Sequence, residues 1–242
     1  LLKILSFSVN ESIWGLLIVL FIAMVIVSQF MLTFGRDPNA KVTKKSKSPL
    51  SFHPIALIFG LLSFVSYLVE GAVGDWSALY LFEDKGIVIE EAVMGVMLFN
   101  GTMCIGRLLG NRLGKHLTSK QVVVGGYLLG SIAMGLIVFL PGHASMYTYL
   151  LLGISLAMIV PNLFSAMGEQ NVIPMTQAVA TSTMLGYMGI LMGPALIGFI
   201  AHGTSLTVAF IVLTTLLVVS AGIGKYAYHL MSKDCGLSEE QI

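Results

Sequence analysis

Seven stretches of this chain are long and apolar enough to cross a lipid bilayer, and no other feature constrains the fold as strongly. A membrane-spanning helix needs roughly 20 mostly apolar residues to cross about 30 Å of hydrocarbon. Such stretches lie at residues 12–34, 54–82, 91–110, 121–141, 146–168, 178–201 and 205–231. They lack the alternating pattern of membrane β-strands, and helices satisfy every backbone polar group within lipid. The sequence therefore predicts an all-α, polytopic transmembrane helix bundle.

The composition excludes an ordinary soluble domain. Charged residues make up 10% of the chain and hydrophobic residues 56%, with a mean hydropathy of +0.90. Soluble domains carry about 25% charged residues, so too few charges are present to cover a water-facing surface. We therefore expect the lipid bilayer to be the main partner. The net charge of +1 gives no indication of a nucleic-acid partner.

Basic residues are concentrated on one side of the predicted bundle. If successive loops alternate between the two sides, eleven lysines and arginines share one side, and Lys3 and Lys85 lie on the other. The eleven are Arg36, Lys41, Lys44, Lys45, Lys47, Arg107, Arg112, Lys115, Lys120, Lys225 and Lys233. Cytoplasmic loops carry an excess of lysine and arginine. We therefore expect the basic loops and the C-terminus to be cytoplasmic.

Two carboxylates fall within the second predicted span and are candidates for proton coupling. Glu70 lies near the middle of the span, and Asp75 follows five residues later. Ionisable residues in a bilayer are costly and usually face a cavity or a partner, and a carboxylate there can gain or lose a proton as its surroundings change. The alternative for Glu70 is a neutral side chain hydrogen-bonded to a neighbouring helix. For Asp75 the alternative is a position near the membrane interface.

Four uncharged side chains are candidates for lining a substrate cavity. Asn100 and Asn162 lie in the middle of the third and fifth spans, Tyr187 lies in the sixth, and Trp76 follows Asp75. Their polar groups suit hydrogen bonds to a polar substrate, although hydrogen bonds between helices explain the asparagines equally well. For Trp76 the alternative is an anchor at the membrane interface. Pro161 precedes Asn162 and predicts a kink, because proline has no backbone N–H to continue the helix.

Motifs for enzymatic chemistry are missing from the sequence. It contains no phosphate-binding glycine loop, no serine-nucleophile motif and no zinc-ligand spacing. Cys104 lies in an apolar stretch and Cys235 in a polar one, so a disulfide between them is not expected. We therefore predict a protein that is not an enzyme and that has neither a cofactor nor a metal site.

Four segments resemble the major facilitator superfamily of transporters. Gly106–Lys115, with the sequence GRLLGNRLGK, resembles the cytoplasmic loop motif between helices 8 and 9, with Asn111 at the usually acidic position. Glu70–Leu81 resembles helix 7 of a bacterial branch related to fucose permease. In the same branch, Val160–Ser165 resembles helix 10 and Gly186–Pro194 resembles the glycine- and proline-rich helix 11.

The resemblance implies a domain organisation that covers the whole chain. Residues 1–34 would hold helix 6, the last helix of the N-terminal half, and residues 35–53 the central cytoplasmic loop. Residues 54–231 would form helices 7–12, the C-terminal half, followed by a cytoplasmic tail at residues 232–242. The fold would then be the superfamily's transporter fold truncated at the N-terminus. Its missing partner would be the rest of the N-terminal half of the same protein.

The resemblance also implies a function. It predicts secondary active transport of a small polar molecule, a sugar or related metabolite, by alternating access in the inner membrane, with Glu70 as the leading proton-coupling residue. The cavity candidates would line the C-terminal side of the substrate site. The cytoplasmic gate would be shaped by Gly106, Arg107, Gly110, Asn111 and Arg112, with Arg107 free to pair with a carboxylate. Two alternatives stay open: an efflux pump of the same superfamily, and a membrane receptor or assembly subunit that transports nothing.

Overall fold

The computed structural model describes residues 9–34, 50, 52–113 and 117–235, and every regular element in these ranges is an α-helix. The helices are α1 (Val9–Phe34), α2 (Pro54–Glu83), α3 (Ile89–Leu113), α4 (Ser119–Phe139), α5 (Gly142–Leu156), α6 (Ile159–Glu169), α7 (Met175–Gly203) and α8 (Leu206–Cys235). The predicted all-α fold is therefore confirmed. Most of the predicted central loop and the tail beyond Cys235 lie outside the described residues.

Helix α1 belongs to one compact unit and helices α2–α8 to another. The described apolar part of α1 runs from Leu17 to Gln29. Its large side chains are exposed within this unit, as Trp14 and Phe21 show with 66% and 62% exposure. A helix that is apolar all round must be covered by lipid or by other helices. Helix α1 is thus suited to a membrane at the place where the first span was predicted.

Six helical segments of the second unit are long and apolar enough to cross a membrane. They are Pro54–Glu83, Ile89–Gly110, Ser119–Phe139, Gly142–Glu169, Met175–Gly203 and Leu206–Asp234. Each one covers or overlaps a predicted span, so the last six predicted spans are confirmed. The ends differ by several residues at most, because apolar composition changes gradually where a helix leaves the bilayer.

The fifth of these segments is interrupted near its middle. Helix α5 ends at Leu156 and α6 begins at Ile159, although together they form one span. Pro161 has no N–H to bond the carbonyl of Ala157, four residues earlier, so the helical hydrogen bonding fails at this turn. The interruption lies one turn before Pro161, the residue from which the sequence predicts a kink.

Helix α2 is the centre of the second unit and packs against α3, α5, α6, α7 and α8. Its longest contact is with α7, where glycines allow the two backbones to approach closely. A Cβ added at Gly193 would lie 2.5 Å from the Leu68 carbonyl oxygen, and one at Gly71 would lie 3.0 Å from the Ile190 carbonyl oxygen. Pro194 has no N–H to bond the carbonyl of Ile190, four residues earlier in α7. Gly71 of α2 therefore approaches a carbonyl oxygen that receives no such bond within α7. We call this contact the α2–α7 seam.

A second close contact joins α3 to the α5–α6 break. A Cβ added at Gly106 would lie 2.5 Å from the Ala157 methyl group, and Gly110 packs directly against the Met158 side chain. Gly153 in turn packs against the Phe99 backbone. The glycines of the GRLLGNRLGK segment therefore fix one side of α3 against α5 and α6. Arg107, the residue after Gly106, is directed to α2, where it pairs with Glu70.

Buried hydroxyls hold α2 against α4. The Tyr127 hydroxyl donates to the Leu62 carbonyl at 2.7 Å and accepts from the Ser66 hydroxyl, also at 2.7 Å. Tyr127 is fully buried, and a buried polar group is stable only when it is hydrogen-bonded. These contacts fix the rotation of α2, and with it the face that carries Glu70.

Candidate functional site

An ion pair between Glu70 and Arg107 is the central feature of the candidate site. Glu70 lies near the middle of α2, and Arg107 lies on α3, six residues before its end. Both carboxylate oxygens of Glu70 face the Nη2 atom of Arg107, at 3.3 and 3.5 Å. The side chains are 23% and 44% exposed, so the pair lies on an open face of the bundle. Opposite charges inside apolar spans pair because each is costly alone.

Two tyrosines lie beside this pair. Tyr67 precedes Glu70 by one helical turn, and its hydroxyl interacts electrostatically with both Glu70 and Arg107. The ring of Tyr67 stacks on that of Tyr187 from α7, with centroids 6.2 Å apart and planes 10° from parallel. Tyr187 is 61% exposed. Gly186 makes the stacking possible, because any larger residue there would collide with the Tyr67 ring.

Asn100 and Asp75 lie farther along the same two helices. Asn100 is exposed on α3, two turns before Arg107, and the period of a helix places the two residues on one face. Its side-chain amide donates to the Val96 carbonyl at 3.0 Å. Asp75 is also exposed, but five residues after Glu70 it is rotated by about 140° around α2. Asn100 therefore lies on the face of α3 that carries Arg107, whereas Asp75 lies away from the face of α2 that carries Glu70.

Trp76 ties α2 to α7 instead of facing the ion pair. Its Nε1 atom donates to the Pro194 carbonyl at 3.0 Å, and its ring fills the space above Gly198. It borders a separate cleft of about 510 Å³ between the end of α2 and the α7–α8 turn, which Glu83 and His202 also line. The predicted cavity residue Trp76 thus borders a cleft whose lining does not include Glu70.

Asn162 lies in a third place, on α6. Its side-chain amide donates to the Met158 carbonyl at 2.8 Å, and its own carbonyl accepts from the Ser119 hydroxyl at 3.2 Å. It borders an apolar cleft of about 350 Å³ with Gly110, Gly126 and other residues of α3–α5. Its side-chain amide therefore bonds within its own span, and its backbone carbonyl joins α6 to α4.

The five predicted gate residues have three different settings. Gly106 and Gly110 pack against the α5–α6 break, whereas Arg107 pairs with Glu70 of α2. Asn111 and Arg112 lie in the last turn of α3, and their side chains are outside the described residues. The proton-coupling and gate residues, predicted separately, thus meet in one contact.

Sequence reasoning missed Tyr67, and it did not pair Glu70 with Arg107. A signal for the pairing was present, because two opposite charges in neighbouring spans tend to pair in lipid. Tyr67 had a weaker signal in its spacing of three residues from Glu70, which places both on one helix face. In the part of the chain that the structure describes, no three histidine, cysteine or acidic side chains are grouped closely enough to hold a metal ion.

Comparisons with known proteins agree on the class of molecule. No family model matches the chain. It is 41% identical over 168 residues, 68% of its length, to an uncharacterised transporter of the major facilitator type from Yersinia pestis, and the match covers 43% of that protein. It is 30% identical over 170 residues, 69% of its length, to the membrane protein MosC of Rhizobium meliloti, of which 42% is covered. The chain thus spans less than half the length of these curated relatives.

A solved structure shows the same fold. The fucose:proton symporter FucP of E. coli matches with a TM-score of 0.65 and 16% sequence identity, over 76% of this chain and 47% of that one. The six apolar spans, the fold and the membrane-protein relatives together define a multi-pass membrane protein. The chain belongs to the major facilitator superfamily.

Proposed function

We propose that the chain is the C-terminal part of a secondary transporter. The transporter moves a small polar molecule, a sugar or related metabolite, across the inner membrane by alternating access. Glu70 couples this movement to protons. In this proposal α1 is helix 6, helices α2–α8 provide helices 7–12, and the basic loops face the cytoplasm. The observation that carries the proposal is the Glu70–Arg107 ion pair on an open face within the spans.

The ion pair gives Glu70 two distinct states. When Glu70 is charged, it neutralises Arg107 across the 3.3 Å contact. When Glu70 is protonated, Arg107 keeps an uncompensated positive charge in a medium of low dielectric, where charge interactions are strong. The local electrostatic field therefore changes with one proton. A second half of the transporter that closes over this face would respond to that change, as alternating access requires.

Relatives support the proposal without fixing the substrate. The neighbour of the same fold is named a fucose:proton symporter, and the relative from Yersinia pestis is named a transporter. The Tyr67–Tyr187 stack and the exposed amide of Asn100 offer an aromatic face and a hydrogen-bonding group beside the charges. Such a mixture suits a small molecule with both apolar and hydroxyl-bearing faces.

The test is proton-coupled transport by the full-length protein in vesicles that contain a pH-sensitive dye. L-Fucose, glucose, galactose and their acid derivatives are added in turn, and substrate-driven proton entry is recorded. We expect Glu70→Gln to abolish proton entry, because the amide cannot take up a proton. The matched control is Glu90→Gln, in the exposed first turn of α3, which should transport normally.

Full proton-driven uptake by Glu70→Gln would refute the coupling role. Uptake that persists when an uncoupler collapses the proton gradient would indicate a facilitator instead. A protein that shows no flux with any solute and copurifies with a stable partner would fit the receptor or assembly-subunit alternative.

Drug efflux is the second candidate function, and the stacked tyrosines favour it. The exposed ring of Tyr187, backed by the half-buried ring of Tyr67, can stack against a planar aromatic compound. Cells that lack the protein would then be more sensitive to ethidium, and the Tyr187→Ala variant would not restore resistance. Equal sensitivity with and without the protein would exclude this function.

A further inference from the structure

We infer that the transported molecule carries a carboxylate group, which binds the Arg107 guanidinium when Glu70 is protonated. The inference rests on the proposed function and narrows its substrate class to hydroxylated organic acids such as sugar acids. Three features of the described residues support it: the incomplete pairing of Arg107, the charge balance of the open face, and the groups that flank it.

The pairing of Arg107 leaves most of its donors unused. A guanidinium presents five N–H donors in a planar fork, and a strong pair with a carboxylate uses two parallel bonds of about 2.7–2.9 Å. Here both Glu70 oxygens share the single Nη2 atom at 3.3 and 3.5 Å. Among the described residues, Nε and Nη1 have no hydrogen-bond partner. The Arg107 side chain is 44% exposed, so its guanidinium is accessible to a second carboxylate.

The net charge of the ion pair depends on the protonation of Glu70. The described lysines lie in the α2–α3 loop, at the start of α4 and on α8, and the Arg112 side chain on α3 lies outside the described residues. With Glu70 charged, the Glu70–Arg107 pair is neutral and offers an anion no net attraction. With Glu70 protonated, the same site carries one positive charge. A carboxylate and a proton should therefore bind together.

The neighbours of Glu70 leave Arg107 as its main charge partner. Tyr67 on the same helix, Arg107 on α3 and Tyr187 on α7 are the titratable groups of this cluster. Asp75 is rotated away around α2. Three buried tyrosines from α4, α5 and α8 contact other positions on α2: Tyr127 with Ser66, Tyr149 with Ser77, and Tyr228 with Phe59. Protonation of Glu70 therefore acts first on Arg107.

The groups beside the fork suit the rest of an organic acid. The stacked rings of Tyr67 and Tyr187 offer an apolar face to a carbon chain or sugar ring. Asn100 lies two turns from Arg107, about 10 Å along α3, and its exposed amide can bond a hydroxyl group. A molecule with a carboxylate at one end and hydroxyls along its length meets all three groups.

The experiment compares matched acids and neutral compounds on the purified full-length protein. The pairs are gluconate with sorbitol, glucuronate with glucose, and lactate with propane-1,2-diol, each titrated by calorimetry at mildly acidic and mildly alkaline pH. We expect at least one acid to bind and its neutral partner not to bind, with an affinity at least tenfold higher at acidic pH. Glu70→Gln should bind the acid equally well at both pH values. Arg107→Gln should lose binding, and Arg107→Lys should keep part of it.

Lys225→Gln is the matched control, since Lys225 is an exposed cation on α8, away from the open face; it should bind as the unaltered protein does. The inference is overturned if no acid binds, if a neutral partner binds equally well, or if Arg107→Gln still binds while eluting as a folded monodisperse protein. Proton-coupled transport of a neutral sugar would overturn this inference and leave the proposed function intact. Absence of flux with every solute would instead overturn the proposed function.

Discussion

Replacing Gly193 with alanine should weaken the α2–α7 seam by a predictable amount. The added Cβ would lie 2.5 Å from the Leu68 carbonyl oxygen and 3.2 Å from the carbonyl carbon and Cα of Leu68. These are backbone atoms of a buried helix and cannot rotate aside as a side chain can. The two helices must therefore move apart until the methyl group fits.

The cost follows from what such a separation disturbs. Overpacking a well-packed interface costs about 1–3 kcal/mol, and a clash with backbone belongs in the upper half of that range. Replacing a helical glycine returns about 0.5–1 kcal/mol through helix propensity. The net loss is then about 1–2 kcal/mol. For a chain of this size, 1 kcal/mol corresponds to a shift in melting temperature of roughly 2–4 °C, so we expect a decrease of about 2–8 °C.

The assay is size-exclusion chromatography of the full-length protein in detergent after heating to a series of temperatures. The matched control is Gly222→Ala on α8, where an added Cβ would meet no atom within 4 Å. This control should melt at the original temperature or slightly above it. If Gly193→Ala proves as stable as Gly222→Ala, the close approach of α2 and α7 is wrong.

Three further substitutions test other contacts of the bundle. Tyr127→Phe removes a fully buried hydroxyl with two 2.7 Å hydrogen bonds and should cost about 1–2 kcal/mol in thermal unfolding; an unchanged melting temperature would contradict those bonds. The buried Gln170 side chain makes four hydrogen bonds within residues 167–173. Gln170→Ala should therefore speed hydrogen exchange of these loop amides about 5–30-fold, as a loss of about 1–2 kcal/mol implies. Unchanged exchange rates would contradict these bonds. Burial lowers the pKa of Lys85, and the charge of Asp84 partly offsets this, so the unfolded chain binds that proton more tightly. The free energy of unfolding should therefore rise with pH over the range, below the ordinary lysine pKa of about 10.4, in which Lys85 loses its proton in the folded protein. Lys85→Met should remove this part of the pH dependence.

The sequence predicted the features of the fold that depend on local chemistry. Long apolar stretches specify helices because lipid offers backbone groups no other partner, so the last six predicted spans are confirmed. The break between α5 and α6 follows from the missing N–H of Pro161 and is equally local. The turn between α4 and α5 is local as well, since Gly142 has a φ of 45°, which favours glycine.

The candidate site was predicted less completely, since it depends on how each helix is rotated against its neighbours. Sequence position gave the depth of Glu70 but not the face it occupies. That rotation is fixed by distant contacts, such as Tyr127 on Leu62 and Ser66. Depth alone also grouped Trp76 and Asn162 with the cavity residues, although the structure places each of them in another cleft.

The ion pair joins two helices that are held in place by other contacts. Helix α2 is fixed by the α2–α7 seam and the Tyr127 hydroxyl, and α3 is fixed through Gly106 and Gly110 against the α5–α6 break. None of these contacts involves the ion pair, so the packing of α2 and α3 does not depend on Glu70 meeting Arg107. Glu70 can then be protonated, and Arg107 can change partner, without unfolding the bundle. A contact on which the fold does not depend suits the proposed transport cycle, in which the pair would break and re-form at every turnover.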